Sequence, residues 1–380
     1  MPTQSDDIIS ISPGTETFGL GGADEFTWAG GSATIHGGDT DESYDESVYM
    51  DKTGGDRLII SEAVKLIFAS TEDGVARAAS GTLVFDGTER IHLGDGNDMI
   101  RAGAAAVDRY GLSIWAGGGN DDIIGSRAGD FIDGGSGNDT IRAGLGDDFV
   151  QSSTGNDLIY GGAGNDNIRW GQGNFDEIVG NDTIFGGAGS DLINVWIKDG
   201  WENSGGVAVN VNRVRADGAM VGGAETDIGG AQSTLRFQGF EMGWTHEGQD
   251  TVSGAGAKVI GTTGMVWNTR WGDDVLTGTG GNDTLEGGEG RDTITGGAGN
   301  DLISANGDWW AGAAAEGDGD LDTLIFREGH GADTILGFDA GLDVLDLGAR
   351  AYAVTATTQG VLLTAGQDSI LLAGIHEFEV

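Results

Sequence analysis

The sequence between residues 116 and 169 repeats every nine residues without an insertion or a deletion. The six nonapeptides read AGGGNDDII, GSRAGDFID, GGSGNDTIR, AGLGDDFVQ, SSTGNDLIY and GGAGNDNIR. The sixth place is always aspartate, at Asp121, Asp130, Asp139, Asp148, Asp157 and Asp166, and the eighth is always apolar. A short fixed period predicts a chain wound into stacked coils, each adding an apolar residue to a shared core. A flexible Gly/Asp-rich linker has no reason to keep that apolar place.

Each nonapeptide divides into a six-residue turn and a three-residue strand. Glycine at places one, two and four permits backbone angles that side chains forbid, so that carbonyl oxygens can turn toward one point. We expect Asn138, Asn156 and Asn165, which precede the aspartate, to use the left-handed conformation that asparagine tolerates. The turn then offers carbonyls and one carboxylate, which is about half of the six to eight oxygens that calcium takes. The other half must come from a neighbouring turn.

The repeat resembles the G-G-x-G-x-D-x-U-x motif of the RTX (repeats-in-toxin) family. The resemblance covers roughly half of the chain and implies an all-β fold, a parallel β-roll in which two nonapeptides complete one coil. It also implies that calcium, the one expected cofactor, lies between turns eighteen residues apart. Because one apolar side chain per nonapeptide returns less than the conformational entropy lost on ordering it, we expect calcium binding and folding to be one event.

The resemblance assigns the metal site to place-six aspartates and to glycines at places two and four. In the first roll these are Asp98, Gly117, Gly119, Asp121, Asp130, Gly135, Gly137, Asp139, Gly144, Gly146, Asp148, Gly155, Asp157, Gly162, Gly164, Asp166, Asp182, Gly187, Gly189 and Asp191. In the second roll they are Asp274, Gly281, Asp283, Gly288, Gly290, Asp292, Gly297, Gly299 and Asp301.

Interruptions of the repeat divide the chain into six predicted segments. These are degraded repeats or a cap (1–45), a β-rich segment (46–92), a first roll (93–194), a non-repetitive β insertion (195–247), a second roll (248–326) and a C-terminal cap (327–380). The degraded repeats hold Asp24, Ala33 and Glu42 at the sixth place, so we expect Asp24 to matter less for calcium than Asp139. The cap resembles the closing segment of serralysin-like secreted proteins, and its end, Glu377–Val380, resembles a type I secretion signal.

The chain also shows a longer internal duplication, with a constant offset of 152 residues. The offset pairs Phe85 with Phe237 and Trp115 with Trp267. Each half then consists of an irregular β segment followed by a roll. The equivalence of the two tryptophans favours a packing role for them.

Tryptophan is the second unusual feature, with ten copies in the chain. Trp267, Trp271, Trp309 and Trp310 are candidates for a platform on which a glycan could stack. The alternative is that they cap the roll ends or fill a seam between the rolls and the β insertions, and the duplication favours this alternative.

Composition narrows the class of protein further. The formal charge of −42, from 61 acidic and 19 basic residues, excludes nucleic acid as a natural partner and favours bound cations. Cysteine is absent, so we expect neither disulfides nor thiol chemistry. The beginning, MPTQSDDIISIS, lacks the basic and apolar regions of a Sec signal peptide, and no apolar run reaches the length of a membrane span.

Catalytic motifs are missing from the sequence. None of the five histidines lies in H-E-x-x-H, no serine lies in G-x-S-x-G, and there is no P-loop. We therefore predict no catalytic residue and lean toward a protein that is not an enzyme. A glycosidase or lyase site within residues 195–247 stays open, although His246 and Glu247 are expected to form a surface pair.

These observations predict a secreted calcium-binding protein that folds outside the cell, with a structural or adhesive role at a surface or in a matrix. The family resemblance implies the type I secretion apparatus as a partner. A carbohydrate-binding or carbohydrate-active protein, resembling accessory modules of epimerases, is the alternative, and self-assembly is a third possibility. Cell-surface glycan is the candidate partner for the carbohydrate-binding alternative. We do not expect insertion into a membrane.

Overall fold

The computed structural model describes residues 7–19, 23–37, 56–70, 73–88, 90–105, 111–171, 179–196, 205–228, 231–305 and 317–376. These residues form strands, turns and connecting segments, and no helix occurs among them. They group into two compact units, one formed by residues up to Asp191 and the other by residues from Leu192 onward. The all-β class and the parallel β-roll predicted from the repeats are confirmed.

The first unit contains eighteen strands, most of them only three or four residues long. They are β1 (Ile8–Ile11), β2 (Glu16–Phe18), β3 (Glu25–Trp28), β4 (Ala33–His36), β5 (Arg57–Ile60), β6 (Lys65–Phe68), β7 (Gly74–Arg77), β8 (Thr82–Asp86), β9 (Arg90–Leu93), β10 (Met99–Arg101), β11 (Ser113–Trp115), β12 (Asp122–Ile124), β13 (Phe131–Asp133), β14 (Thr140–Leu145), β15 (Phe149–Gln151), β16 (Leu158–Ala163), β17 (Asn167–Trp170) and β18 (Asn181–Ala188).

Two sheets face each other in this unit, and successive coils add one strand to each. One sheet runs β1-β3-β5-β9-β11-β13-β15-β17 and is parallel throughout. The other begins β2-β4-β8, continues through the antiparallel β8-β7-β6 meander and ends with the parallel series β6-β10-β12-β14-β16-β18. The strands predicted within residues 46–92 therefore pair directly with strands of the roll.

The second unit repeats this plan with eighteen further strands. They are β19 (Leu192–Val195), β20 (Gly205–Val214), β21 (Met220–Ile228), β22 (Ala231–Phe240), β23 (Met242–Trp244), β24 (Gln249–Ser253), β25 (Lys258–Val259), β26 (Thr263–Asn268), β27 (Val275–Thr277), β28 (Asn282–Glu286), β29 (Thr293–Thr295), β30 (Leu302–Ser304), β31 (Thr323–Ile325), β32 (Ala332–Leu336), β33 (Val344–Asp346), β34 (Ala353–Ala356), β35 (Gly360–Ala365) and β36 (Asp368–Ala373).

Its two sheets are again mainly parallel, and each sheet includes an antiparallel segment at one end. One sheet runs β19-β23-β26-β28-β30-β32-β36 in parallel and closes with the antiparallel β36-β35-β34. The other combines the antiparallel β20-β21-β22 meander with the parallel series β20-β24-β27-β29-β31-β33. The six predicted segment boundaries stay a prediction, and Glu42 and Glu377–Val380 lie outside the described residues.

The eighteen-residue coil is visible in the register of neighbouring strands. Ile123 pairs with Ile141, and Ile141 pairs with Ile159. All three side chains are fully buried, as are Ile132 and Val150 on the opposite sheet. Since each such side chain stabilises the fold by about 1.5–3 kcal/mol when buried, the eighth place supplies the core of the roll.

Glycine is required where the turns of successive coils stack most closely. Gly137, at the fourth place, has φ = 134°, a conformation that L side chains rarely adopt. A Cβ at this position would also lie 1.7 Å from the carbonyl oxygen of Gly119 in the preceding coil. Conformation and space therefore both select glycine at this place.

The internal duplication is present in the antiparallel meanders of both units. In the first, a Cβ on Gly74 would lie 2.5 Å from the ring of Phe85, and in the second a Cβ on Gly222 would lie 2.6 Å from the ring of Phe237. Each meander thus packs a buried phenylalanine of its last strand over a glycine of its middle strand.

The predicted equivalence of Trp115 and Trp267 is wrong by one residue. Trp115 faces outward, where its ring stacks on that of His92 at a centroid distance of 4.1 Å. Trp267 instead points into the core and is 1% exposed. The cause is an irregularity in β26 between Thr263 and Val266, which shifts the register before the tryptophan.

The stacking of the turns predicts a graded response to alanine substitution. Gly137→Ala, which combines a positive φ with a backbone clash, should destabilise the calcium-loaded protein most. Gly256→Ala has a φ of 77° but open space, so it should cost about 1–2 kcal/mol. Gly280→Ala, with open space and no positive φ, should have little effect. Urea unfolding measures all three, and equal costs would contradict this account of the turns.

Candidate metal centre

The place-six aspartates are joined from coil to coil by hydrogen bonds, and we call each such series an aspartate ladder. The backbone N–H of Asp121 donates to Oδ1 of Asp139 at 2.8 Å, and that of Asp139 donates to Oδ1 of Asp157 at 2.8 Å. On the other edge, Asp130 donates to Asp148 at 2.7 Å and Asp148 to Asp166 at 3.0 Å. The two edges predicted from the eighteen-residue spacing are therefore both present.

The ladders continue across the interruptions of the repeat. Asp98 donates to Asp121 although 23 residues separate them, and Asp157 donates to Asp182 across 25 residues. Asp166 likewise donates to Asp191 across 25 residues. Extra residues between two consecutive ladder aspartates therefore do not break the hydrogen bond that joins those aspartates.

The second unit has ladders of the same construction. One contains Asp250, Asp274, Asp292, Asp322 and Asp343, and the other contains Asp283, Asp301 and Asp333. The donor–acceptor distances lie between 2.7 and 3.1 Å.

Several ladder aspartates are absent from the predicted ligand set. Asp24 accepts from the N–H of Asp7 and donates to Asp56 at 2.8 Å, in the same arrangement as in the nonapeptides. Asp250 and Asp322 also lie on ladders. All three lack the glycine of the second place, where Leu20, His246 and Asp318 stand, so the full motif does not mark them. The period of nine does place Asp24 in a degraded repeat, and the duplication pairs Asp98 with Asp250.

The second carboxylate oxygen is what makes the ladder a candidate metal centre. Oδ2 is buried and accepts no hydrogen bond in seven described aspartates: Asp98, Asp121, Asp139, Asp157, Asp166, Asp292 and Asp301. Each of these residues is at most 3% exposed. A buried anionic oxygen is costly unless a cation or a donor compensates it. A row of such atoms fits a series of bound cations.

The surroundings of Oδ2 fit an oxygen-coordinated cation. A Cβ added to Gly161, at the first place of its repeat, would lie 2.4 Å from Oδ2 of Asp166 and 2.6 Å from the carbonyl oxygen of Gly186. The carboxylate and a carbonyl of the next coil therefore converge beside the glycine. Calcium takes oxygen ligands of both kinds in flexible geometry.

In two predicted ligands, Asp130 and Asp283, Oδ2 also accepts a hydrogen bond. Ser126 donates its N–H to Oδ2 of Asp130 and its hydroxyl to Oδ1, at 2.6 and 2.7 Å. Thr279 does the same to Asp283, at 2.7 and 2.8 Å. In both repeats the usual glycine of the second place is replaced by a hydroxyl residue.

Asparagine at the fifth place forms a second series of hydrogen bonds, in the opposite direction. The N–H of Asn138 donates to Oδ1 of Asn120, and the N–H of Asn156 donates to Oδ1 of Asn138, at 2.7 and 2.9 Å. The predicted left-handed conformation of these asparagines is wrong, because only Ser153 and Arg270 have positive φ among described non-glycine residues. Their role is to link turns and not to bend them.

Burial raises the pKa values of the ladder aspartates. The pKa of Asp121 rises from 3.8 to about 7 and that of Asp157 to about 9. The main cause is burial, which disfavours the charged form, and the carboxylates of neighbouring ladder aspartates add repulsion. Burial likewise raises the pKa of Asp292 to about 7. Without a cation, the folded chain therefore holds protons that an unfolded chain would release.

Among the described residues, side chains alone do not complete a metal shell. No group of three or more His, Asp or Glu side chains is arranged to hold a metal in the part of the chain that the structure describes. A cation at a ladder aspartate must take its other ligands from backbone carbonyls. The turn glycines, which bring successive backbones close together, are the residues that allow this.

One prediction outside the ladders is wrong. His246 was expected to form a surface pair with Glu247, yet it is 5% exposed and its ring stacks on Trp196 at a centroid distance of 4.0 Å. Trp271, by contrast, is 40% exposed. Trp309 and Trp310 lie outside the described residues.

Comparison with known proteins identifies the repeats. The family model of the RTX calcium-binding nonapeptide repeat matches residues 85–106, 115–150, 144–174, 179–195 and 269–303, about a third of the chain. No curated protein matches the sequence. The extracellular lipase LipA from Serratia marcescens is a similar solved structure, at 14% identity and a TM-score of 0.18, covering 77% of this chain and 42% of the lipase. The chain thus spans about two fifths of that protein, and so distant a likeness says nothing of its activity.

The strand pairing and the aspartate ladders define a calcium-binding parallel β-roll. The chain contains RTX nonapeptide repeats, which are calcium-binding repeats. No helix in the described residues is long and apolar enough to cross a membrane.

The raised pKa values predict that protons partly replace calcium. Between pH 3.8, the ordinary value, and about 7, the folded metal-free chain binds more protons than the unfolded chain, so stability is greatest at low pH and falls as pH rises. Metal-free protein should therefore keep more β-structure at pH 5 than at pH 8. Circular dichroism in a chelator measures this, and stability that rises with pH would contradict it.

Proposed function

We propose that the ladder aspartates and the carbonyls of adjacent turns hold calcium between coils, and that the protein folds where calcium becomes available outside the cell. The observation that carries the proposal is the row of buried carboxylate oxygens without a hydrogen-bond partner. At neutral pH these groups favour either a bound cation or an unfolded chain. The formal charge of −42 adds repulsion that bound cations would reduce.

Secretion follows from the calcium requirement. Extracellular calcium modules bind at about 10⁻⁴–10⁻³ M, a concentration range that keeps such sites empty in the cytosol. A chain that stays unfolded inside the cell suits export through a type I apparatus, which the repeat family implies as a partner. The protein would then fold after export and remain extracellular or at the cell surface.

A structural or adhesive role agrees best with the architecture. Parallel sheets with calcium-binding turns make up much of both compact units. Their outer faces are charged and paired, for example by the ion pairs Arg291–Asp273 at 2.7 Å and Arg327–Asp346 at 2.6 Å. A rigid, acidic roll is suited to a surface layer or a matrix in which calcium also links neighbouring molecules.

Carbohydrate binding is the second candidate function. It is favoured by a cluster of tryptophans and polar side chains in the second unit, around Trp271. The cluster does not contribute to the aspartate ladders, so the two functions could coexist in one chain.

The ligand assignment predicts different effects for two adjacent aspartates. Asp121→Asn removes a buried ladder carboxylate, whereas Asp122→Asn removes an outward carboxylate that pairs with Arg101. Both variants lose one negative charge. Asp121→Asn should shift the midpoint of calcium-induced folding to about tenfold higher calcium, as expected for loss of one charged ligand. Asp122→Asn should leave the midpoint nearly unchanged.

Calcium titration followed by circular dichroism distinguishes the two variants. Equal midpoints would show that the ladder carboxylates are not the ligands. Magnesium serves as an ion control, because it requires a smaller and more regular shell than stacked turns provide, and it should not induce folding at comparable concentrations.

A further inference from the structure

The second unit contains a compact cluster of aromatic and polar side chains, which we call the Trp271 cluster. It consists of Trp196, Trp244, His246, Asn268, Arg270 and Trp271, together with Glu286. The His246 ring lies between Trp196 and Trp271, at centroid distances of 4.0 and 5.5 Å. Two of the ten tryptophans of the chain thus flank one histidine.

Arg270 organises the cluster and is held in a strained conformation. It occupies the second place of its repeat, where glycine is usual, and keeps the positive φ of that place at 70°. Its guanidinium lies 4.8 Å from the ring centroid of Trp244 and 5.0 Å from that of Trp271, and 3.3 Å from Nε2 of His246. Strain that a glycine would relieve is typical of a residue retained for its side chain.

Buried polar oxygens provide an independent indication of a ligand. Oδ1 of Asn268 and Oδ1 of Asn194 are buried and accept no hydrogen bond from the described residues, and their side chains are 6% and 4% exposed. Both residues pair in register with Trp244, one on each side. Two such acceptors beside a tryptophan suit a ligand that donates hydrogen bonds while its apolar face stacks.

The charges of the cluster favour a neutral ligand. Glu286, 1% exposed, pairs in register with Asn268, and its negative charge acts on the Arg270 guanidinium. The positive charge of Arg270 is thereby offset within the cluster. A polyanion would in addition be repelled by the net charge of −42. A ring with apolar faces and several hydroxyl groups meets all of these conditions.

We propose that the Trp271 cluster is a binding site for a pyranose unit of a neutral oligosaccharide. Trp271, which is 40% exposed, provides the accessible stacking face, Arg270 positions the rings, and the amide oxygens of Asn268 and Asn194 accept sugar hydroxyls. The proposal rests on the second candidate function and does not depend on the calcium assignment.

The test uses the full chain, folded in calcium, and neutral cellohexaose, maltohexaose and chitohexaose as probes. Oligogalacturonate serves as the anionic comparison. Tryptophan fluorescence and isothermal titration should detect binding of at least one neutral probe. Trp271→Ala should weaken that binding about tenfold, as expected for loss of one stacking ring.

Two further variants separate binding from structure. Arg270→Gly restores the residue that fits the positive φ, so it should leave the calcium-loaded fold as stable as before or more stable while it weakens binding. Tyr160→Ala is the matched control, because Tyr160 is 36% exposed and carries Arg142 over its ring at 5.6 Å, in the other unit. Its sugar binding should equal that of the unchanged protein.

Three results would overturn the proposal: no binding of any neutral probe, binding of oligogalacturonate alone, or binding that persists unchanged in Trp271→Ala and Arg270→Gly. Circular dichroism in calcium, recorded on the same samples, distinguishes these results from a failure to fold. If the protein folds in calcium but binds no saccharide, the proposal of a sugar site fails and the account of calcium-dependent folding stands.

Discussion

The structure depends on one repeated hydrogen bond, from the backbone N–H of a ladder aspartate to Oδ1 of the aspartate in the next coil. This bond fixes one carboxylate oxygen and leaves the other buried. In Asp121, Asp139 and Asp157 the second oxygen has no donor among the described residues. The same geometry that aligns the coils therefore creates an electrostatic cost, which a calcium ion bound as proposed would remove. In this proposal, stacking and metal binding are two consequences of one arrangement.

The ladder also explains how an irregular sequence forms a regular roll. Between Asp274 and Asp292 the coil has 18 residues, but between Asp292 and Asp322 it has 30. The extra residues are accommodated at turns or strand ends, where loops are tolerated. The next ladder aspartate still forms its hydrogen bond. This tolerance allows the roll to include antiparallel meanders and the Trp271 cluster while the ladder aspartates stay hydrogen-bonded from coil to coil.

Much of the fold could be predicted because the nonapeptide repeats its chemistry at fixed places. Asp139 and Ile141 were assigned correctly to a turn edge and to the core, since the period of nine fixes both. Side-chain partners were less predictable. That Ser126 saturates Asp130 depends on the exact path of one turn, and the inward position of Trp267 depends on a one-residue irregularity. Asp24 has ladder geometry although its repeat is degraded, with Leu20 in place of the second-place glycine, so the motif alone ranks it below Asp139.

The site in the second unit illustrates a different limit of sequence reasoning. His246 follows a threonine and precedes a glutamate, a context typical of a surface residue, and only the strand register brings it between Trp196 and Trp271. The strained Arg270 was also invisible in the sequence, because its significance lies in the backbone angle that it keeps.

The central claim is that cations hold together coils that would otherwise separate at neutral pH. The most direct measurement is the hydrodynamic radius and far-ultraviolet circular dichroism of the full chain at pH 7.5, first in excess chelator and then in calcium. The account predicts an expanded chain with little β-structure in chelator and a compact, sheet-rich protein in calcium. A compact, sheet-rich protein in chelator would contradict it.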